Sequence, residues 1–399
     1  MSEIKTPKIR IAGYEKGWQK KPFGEMVMRS SASSVSPFLP HIEYEDIVSG
    51  RGYLNKDPLD KINCPKQGLL FQPGNLLFGK LRAYLQNNFL ATFQGIAVGD
   101  FWVLRPKENG KFLFNLIKTE PFQKIANTSI GTKMPRSDWG FVSSADYYIP
   151  ELNEQKDIAR IIDCIEISIQ KCERELLKLT KTKKAYRSML FPRPGEKQPR
   201  LRFKGFTEDW VTAPLSDYLT IRGDICGNDY TVNDVLSVSG DYGVVNQIAF
   251  QGRSFAGASI ANYRVVNVGN VIYTKSPLKA NPYGIIKAAK KEEGVVSPLY
   301  AVYNTTEKGN ANFIQVFFDE EVSLNNYLRP LVNKGAKNTL LISDATAISG
   351  MVTFPKVEEQ REIADFFVAL DTLIQTNKRR IEQLKHIKAA CLDGMFVNK

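Results

Sequence analysis

The sequence predicts an α+β protein written as an internal repeat. Two strand-rich globular segments are each followed by a long helix, and the two helices pair as an antiparallel coiled coil. Three observations predict this. The stretch PELNEQKDIARIIDCIEISI from Pro150 returns, altered, as PKVEEQREIADFFVALDTLI from Pro355. The stretch PKIRIAGYEKGW from Pro7 returns as PRLRFKGFTEDW from Pro199. Between these repeats lie short apolar runs rich in β-branched and aromatic residues, bounded by Gly, Pro and Asn.

The opening motif comes first in each copy. At a shift of 192, Pro7, Arg10, Gly13, Trp18 and Pro22 align with Pro199, Arg202, Gly205, Trp210 and Pro214. Strand signals follow in GNLLFGKLRAYL and GDFWVLRP of the first copy, and in GNVIYTKSPL and SPLYAVYN of the second. Gly74–Phe78 and Gly269–Tyr273 read as one strand written twice. Outside these landmarks the globular segments share little.

The helices come next. At a shift of 205, twelve residues between 150 and 191 recur, among them Glu154, Gln155, Ile158, Ala159, Ile169 and Phe191. An apolar seam steps by four and three through Ile158, Ile162, Ile165, Ile169, Cys172, Leu176 and Leu179, and through Ile363, Phe367, Leu370, Ile374, Asn377, Ile381 and Leu384. That is a period of about 3.5 residues, the spacing of a coiled coil. A proline opens each helix, acidic residues fill its first turns, and Pro192 stops the first. A run of ~33 residues makes a rod of roughly 50 Å. Lys183, Lys388 and Asn377 fall on the seam and set register at some cost in stability. The alternative is two amphipathic helices, each packed on its own domain.

The resulting division is a first globular domain over 1–149, a first repeat helix over 150–191, a Pro/Gly-rich hinge over 192–198, a second globular domain over 199–354 and a second repeat helix over 355–399. A recurring scaffold with diverged globules suits two different readers held on a spacer. On DNA, rod length becomes half-site separation, since one helical turn is about 34 Å.

Composition narrows the function. The net charge of +12 favours a polyanionic partner, because neutralised phosphates release counterions. No window is apolar enough to span a bilayer and no secretory leader is evident, so a soluble, cytoplasmic protein is expected. Five cysteines without a CxxC read as buried free thiols, and two histidines, His41 and His386, as packing or surface residues. Neither a phosphate loop nor a cofactor glycine loop is present. Asn281-Pro282-Tyr283-Gly284 reads as a turn, and Asp57-Pro58-Leu59-Asp60-Lys61 lacks nuclease spacing.

The pattern Pro-x-x-x-Glu-Gln-[Lys/Arg]-x-Ile-Ala at 150–159 and 355–364 resembles the DNA-specificity subunit of type I restriction–modification enzymes. So do the opening motifs at 7–18 and 199–210 and the closing Lys-x-x-x-x-x-x-Met-Phe at 388–396. The resemblance implies that each globule is a target recognition domain reading one half of a split double-stranded DNA sequence. It implies a coiled coil that fixes the gap and no catalysis in this chain. Two modification subunits, which bind S-adenosylmethionine and methylate adenine, would join it. So would restriction subunits, which use ATP and Mg. This chain would hold no cofactor and no metal. The readings left beside it are a stand-alone DNA-modifying enzyme and a structural coiled-coil connector.

Residue chemistry names the candidate contacts. In the first globule these are Lys80, Arg82 and Tyr84, with Thr132, Lys133 and Arg136 in GTKMPRSDWG. In the second they are Lys275, Ser276 and Lys279, with Lys334, Lys337 and Asn338 in NKGAKNTLLIS. Lys and Arg position a protein on phosphate, and Arg, Asn and Ser read base edges. The basic run Lys171–Lys204 reads as a solvated face. Glu154, Gln155, Glu359 and Gln360, repeated at the helix starts, are expected to dock two identical partner subunits.

Overall fold

The run Gly74-Asn75-Leu76-Leu77-Phe78 forms a turn and then a strand because glycine supplies the backbone the turn needs. Gly74 has φ +84° and Gly269, its counterpart, φ +91°. The side chain of Asn75 accepts from the Gln72 N–H at 2.9 Å, and that of Asn270 from the Asn267 N–H at 2.7 Å. The strands that follow, Leu76–Gly79 and Val271–Thr274, are fully buried. The structure is a computed structural model describing residues 5–128, 134–193, 195–257, 259–278, 281–335 and 340–397. It contains two units. The first comprises residues 1–174 and 377–399, and the second residues 175–376.

In the first unit an antiparallel sheet runs in the order Val27–Ser30, Phe101–Pro106, Leu76–Gly79, Asn88–Leu90. A second sheet runs Ser33–Ser34, Gly68–Phe71, Gly95–Ala97, His41–Ile42, its last pair parallel. Gln19–Pro22 pairs with Asp146–Ile149, which leads into the first long helix, Leu152–Leu190. The core gathers Trp18, Phe23, Phe78, Phe112 and Phe122 with Ile158, Ala159 and Ile162 of that helix and with Met395 and Phe396. Phe396 stacks on Phe112 at 5.0 Å, the Ile9 N–H donates to the Gly394 carbonyl at 2.8 Å, and Lys8 meets Asp393 at 3.1 Å.

The second unit repeats the plan. Its sheet runs Leu219–Ile221, Tyr300–Thr305, Val271–Thr274, Ile286–Ala288, the same order of equivalents. Val211–Pro214 pairs with Met351–Phe354, ahead of the second long helix, Val357–Gly394. Phe191 stacks on Phe313 at 5.7 Å, as Phe396 does on Phe112. The globules, so unlike in sequence, therefore share their central topology. They differ beside it. The second unit has a hairpin, Leu236–Ser239 with Gly243–Asn246, and a short pair, Arg264–Val266 with Gly294–Val296, in place of the four-stranded second sheet.

The long helices pair antiparallel within each unit. In the first, Ile158 and Ile162 share a core with Met395 and Phe396, while Glu166, further on, meets Lys388 at 2.6 Å. In the second, Lys183 meets Asp371 at 2.6 Å and Tyr186 packs edge-on against Phe366 at 4.9 Å. Seam positions Ile158, Ile162, Ile169, Cys172, Ile363, Phe367, Leu370, Ile374 and Ile381 are buried, and Ile165, Leu176, Leu179 and Leu384 half-buried. The two readings of the helices meet here. Their opening turns, Ile158 to Ile162 and Ile363 to Leu370, are absorbed into the globular cores, and in each core they meet residues at the close of the other helix, Met395 and Phe396 in the first unit and Leu190 in the second.

One expectation is corrected. Cys172 and Cys226 are buried free thiols, but Cys64 and Cys164 are exposed, and Cys391 is partly so. His41 packs inside the first unit, and no described helix is long and apolar enough to cross a membrane.

Candidate nucleic-acid interface and the clamps behind it

The repeated Glu-Gln pairs turn inward. Glu154, Gln155, Glu359 and Gln360 are each at most 1% exposed. Arg10 of the first opening motif donates from Nε and Nη2 to the two Glu154 oxygens, both at 2.9 Å, and Trp18 Nε1 donates at 3.3 Å. Arg202 of the second opening motif grips Glu359 in the same fork, at 2.7 and 2.8 Å. Such bidentate charged pairs fix orientation as well as supplying energy. In each case the carboxylate raises the arginine's pKa still further, against a smaller lowering by burial.

The glutamines complete the clamp. Gln155 accepts from the Asn109 N–H at 3.0 Å and donates to the Pro150 carbonyl at 3.0 Å. Gln360 accepts from the Asn310 N–H and donates to the Pro355 carbonyl, both at 2.9 Å. Asn109 and Asn310 in turn cap the helices Gly110–Leu116 and Ala311–Phe318 through their side chains. The docking role expected for Glu154, Gln155, Glu359 and Gln360 is therefore corrected. A partner subunit has no access to side chains buried this way, and their recurrence reflects a partner inside each unit. The complementary signal was present in Arg10 and Arg202, which recur at the other shift.

The clamps fix the start of each helix and the segment preceding it. In the first unit that segment meets the loop following the Gly-Asn strand. Leu81 bridges to Arg136, the Arg82 N–H donates to the Pro135 carbonyl at 2.8 Å, and the Ser137 N–H to the Lys80 carbonyl at 2.8 Å. Candidates far apart in sequence thus share one edge. Arg82 and Gln86 hold left-handed backbone, φ 52° and 51°, on either side of the turn Ala83–Leu85. For non-glycine residues such geometry persists only where the surroundings enforce it. The turn exposes Tyr84 and Leu85, and Met134 is exposed beside it.

Asp100, which sequence reasoning missed, organises this edge. Its Oδ2 accepts from Arg136 Nε and Nη2 at 3.0 and 2.9 Å, and Lys80 Nζ lies 3.6 Å from Oδ1. Its carbonyl accepts from Tyr44 Oη, and burial pushes that phenol up to about 12. Lys80 is therefore partly neutralised, whereas Arg82 stands exposed.

The second unit uses the equivalent place differently. Lys275 lies 2.5 Å from Asp344, which also binds Arg264, and both cations are largely enclosed. Burial would push the Asp344 carboxyl up, but Lys275 and Arg264 more than offset it and hold it below the usual range. Lys275 is thus a member of a largely enclosed ion cluster. Ser276 is half-buried, and exposed Lys334 sits over the Tyr283 ring at 5.3 Å. Tyr283 belongs to the Asn-Pro turn, where a Cβ on Gly284 would fall 1.9 Å from the Thr274 carbonyl oxygen. Thr132, Lys133, Lys279, Lys337 and Asn338 lie outside the described residues. Among the described residues no cluster of metal-ligating side chains occurs.

Fold and site define a doubled α+β scaffold whose two units carry unlike loops at one equivalent edge, on helices paired antiparallel. Comparison with known proteins agrees with that class. No protein-family profile matches the chain. Over 94 residues it is 30% identical to the specificity subunit of the type I restriction enzyme EcoDI from Escherichia coli. That match covers 23% of this chain and about a fifth, 21%, of the relative's length. The fold matches the crystal structure of the type I restriction–modification S subunit from M. genitalium with a TM-score of 0.63, over 99% of this chain and 100% of the other, at 12% identity. The HsdS subunit from Thermoanaerobacter tengcongensis aligns over 96% and 98% at 18% identity, but its TM-score of 0.44 carries no weight. The resemblance to type I specificity subunits thus holds in the sequence of one stretch and in the fold of the whole chain.

Proposed function

We propose that this chain is the DNA-specificity subunit of a type I restriction–modification enzyme. One observation carries the reading. The same scaffold of clamp, four-stranded sheet and long helix is built twice, while the loops at the equivalent edge differ in chemistry. The first unit exposes Arg82, Tyr84 and Arg136 there, and the second encloses Lys275 and exposes Lys334. A constant frame with changed loops suits two readers of two different short sequences.

In this reading each unit reads one half of a split duplex target, and the paired helices set the gap. The net charge of +12 supports a phosphate-bearing partner. Two modification subunits would supply S-adenosylmethionine and adenine methylation. Restriction subunits would supply ATP, Mg and cleavage. This chain would contribute recognition alone, in the cytoplasm. Docking of the modification subunits would use surfaces other than the buried Glu-Gln pairs.

Selection of duplexes from a random pool by the full-length chain, at two salt concentrations, tests the reading. The expected product is a motif of two short elements at a fixed separation, bound with an affinity that falls steeply with salt. A single contiguous motif, or no salt-dependent binding, refutes it.

A further inference from the structure

We propose that Arg136 is the base-reading residue of the first unit, aimed by Asp100 at the major-groove edge of a guanine. The inference rests on the DNA-specificity reading above. Asp100 Oδ2 takes the Nε and Nη2 donors of Arg136 at 3.0 and 2.9 Å. That occupies one edge of the planar guanidinium. The opposite edge, formed by Nη1 and the second Nη2 hydrogen, keeps two parallel donors, and the side chain remains 49% exposed. Two parallel donors match the two adjacent acceptors, O6 and N7, that guanine shows in the major groove. Adenine places a donor at one of those positions and is refused.

Arg136 also differs from the other exposed cations in how firmly it is held. Its own backbone bridges to Leu81, and the residues on either side are hydrogen-bonded, Pro135 to Arg82 and Ser137 to Lys80. The Ser137 hydroxyl is buried and donates to the Ala126 carbonyl at 2.6 Å. The facing loop is fixed by its two left-handed residues. A guanidinium already ordered by a carboxylate loses little further freedom on binding, which favours discrimination over loose attraction. The second unit has the same acid with two cations at Asp344, Arg264 and Lys275, but there the cations are 22% and 17% exposed, so that cluster acts as an internal lock. Asp100 is thus a positioning residue, and Arg136 the residue that touches the base.

Full-length wild type, Arg136→Lys and Asp100→Asn would each select from a random duplex pool, with thermal melting of each variant alongside. Wild type is expected to enrich a guanine at one position of one half-site. Arg136→Lys keeps the charge and loses the fork. It should lower that preference about tenfold, leaving the other half-site and the salt dependence unchanged. Asp100→Asn should lower the preference about threefold at the same position, because one acceptor remains without its charge. Unchanged preferences in Arg136→Lys overturn the inference. So does a uniform loss across all sequences with a shallower salt dependence, the mark of a phosphate contact. If Asp100→Asn fails to fold, Arg136→Lys decides alone. Wild type enriching no sequence sinks the DNA-specificity reading. A split site that survives Arg136→Lys intact sinks only the role given to Arg136.

Discussion

Replacing Glu154 with Ala should destabilise the first unit. The carboxylate is 1% exposed and accepts two forked bonds from Arg10 and a third from Trp18. Removing one partner of a buried ion pair costs about 3–5 kcal/mol, chiefly because the other charge is left without compensation. Arg10 is 17% exposed and can regain part of its hydration, which places the expected loss near the lower figure, about 3 kcal/mol. For a unit of 150–250 residues that corresponds to roughly 6–12 °C in melting temperature. Arg10→Ala alone and the double variant complete a thermodynamic cycle, read by urea unfolding of the full chain. The coupling should be about 2 kcal/mol, the scale of contacting residues in one network. Glu359→Ala should cause the same loss in the second unit. If Glu154→Ala changes stability by less than 0.5 kcal/mol, ~the scale of an ordinary surface change, the clamp reading is wrong.

Two further outcomes follow from the helix pairing. Burial pushes the Glu166 carboxyl up, but Lys388 and Arg51 together hold it below the ordinary glutamate range. A carboxylate depressed in the folded state lends stability above its unfolded pKa and loses it as pH falls through the folded value. The first unit should therefore lose stability on acidification below about pH 4.5, and Glu166→Gln should flatten that part of the pH profile measured by denaturant unfolding. Phe396→Ala should cost about 3–5 kcal/mol in the first unit, since the ring is 2% exposed and stacked on Phe112; an unchanged urea midpoint would contradict the packing described.

The helix pair was legible because its signal is periodic. Ile158 through Leu179 and Ile363 through Leu384 repeat at about 3.5 residues whatever surrounds them. Middle strands such as Leu76–Gly79 and Val271–Thr274 were legible because burial on both faces leaves an unbroken apolar run. The common sheet order was not, since strand pairing is backbone chemistry that survives when side chains diverge. The Glu-Gln pairs were misplaced for a different reason. Recurrence shows that a partner recurs, and cannot say whether that partner is Arg10 and Arg202 or another molecule. The edge of the first unit was half legible. Lys80, Arg82, Tyr84 and Arg136 stand out by residue type, but nothing local says that residue 81 meets residue 136 or that Asp100 ties the two segments together.

The first unit is assembled from two separate stretches, whereas the second is one unbroken run, residues 175–376. In the order of synthesis, therefore, every residue of the second unit has been added before Met395 and Phe396, which fill the core of the first. A nonsense mutation a few codons after residue 376 would spare the unit just synthesised and cripple the one made earliest.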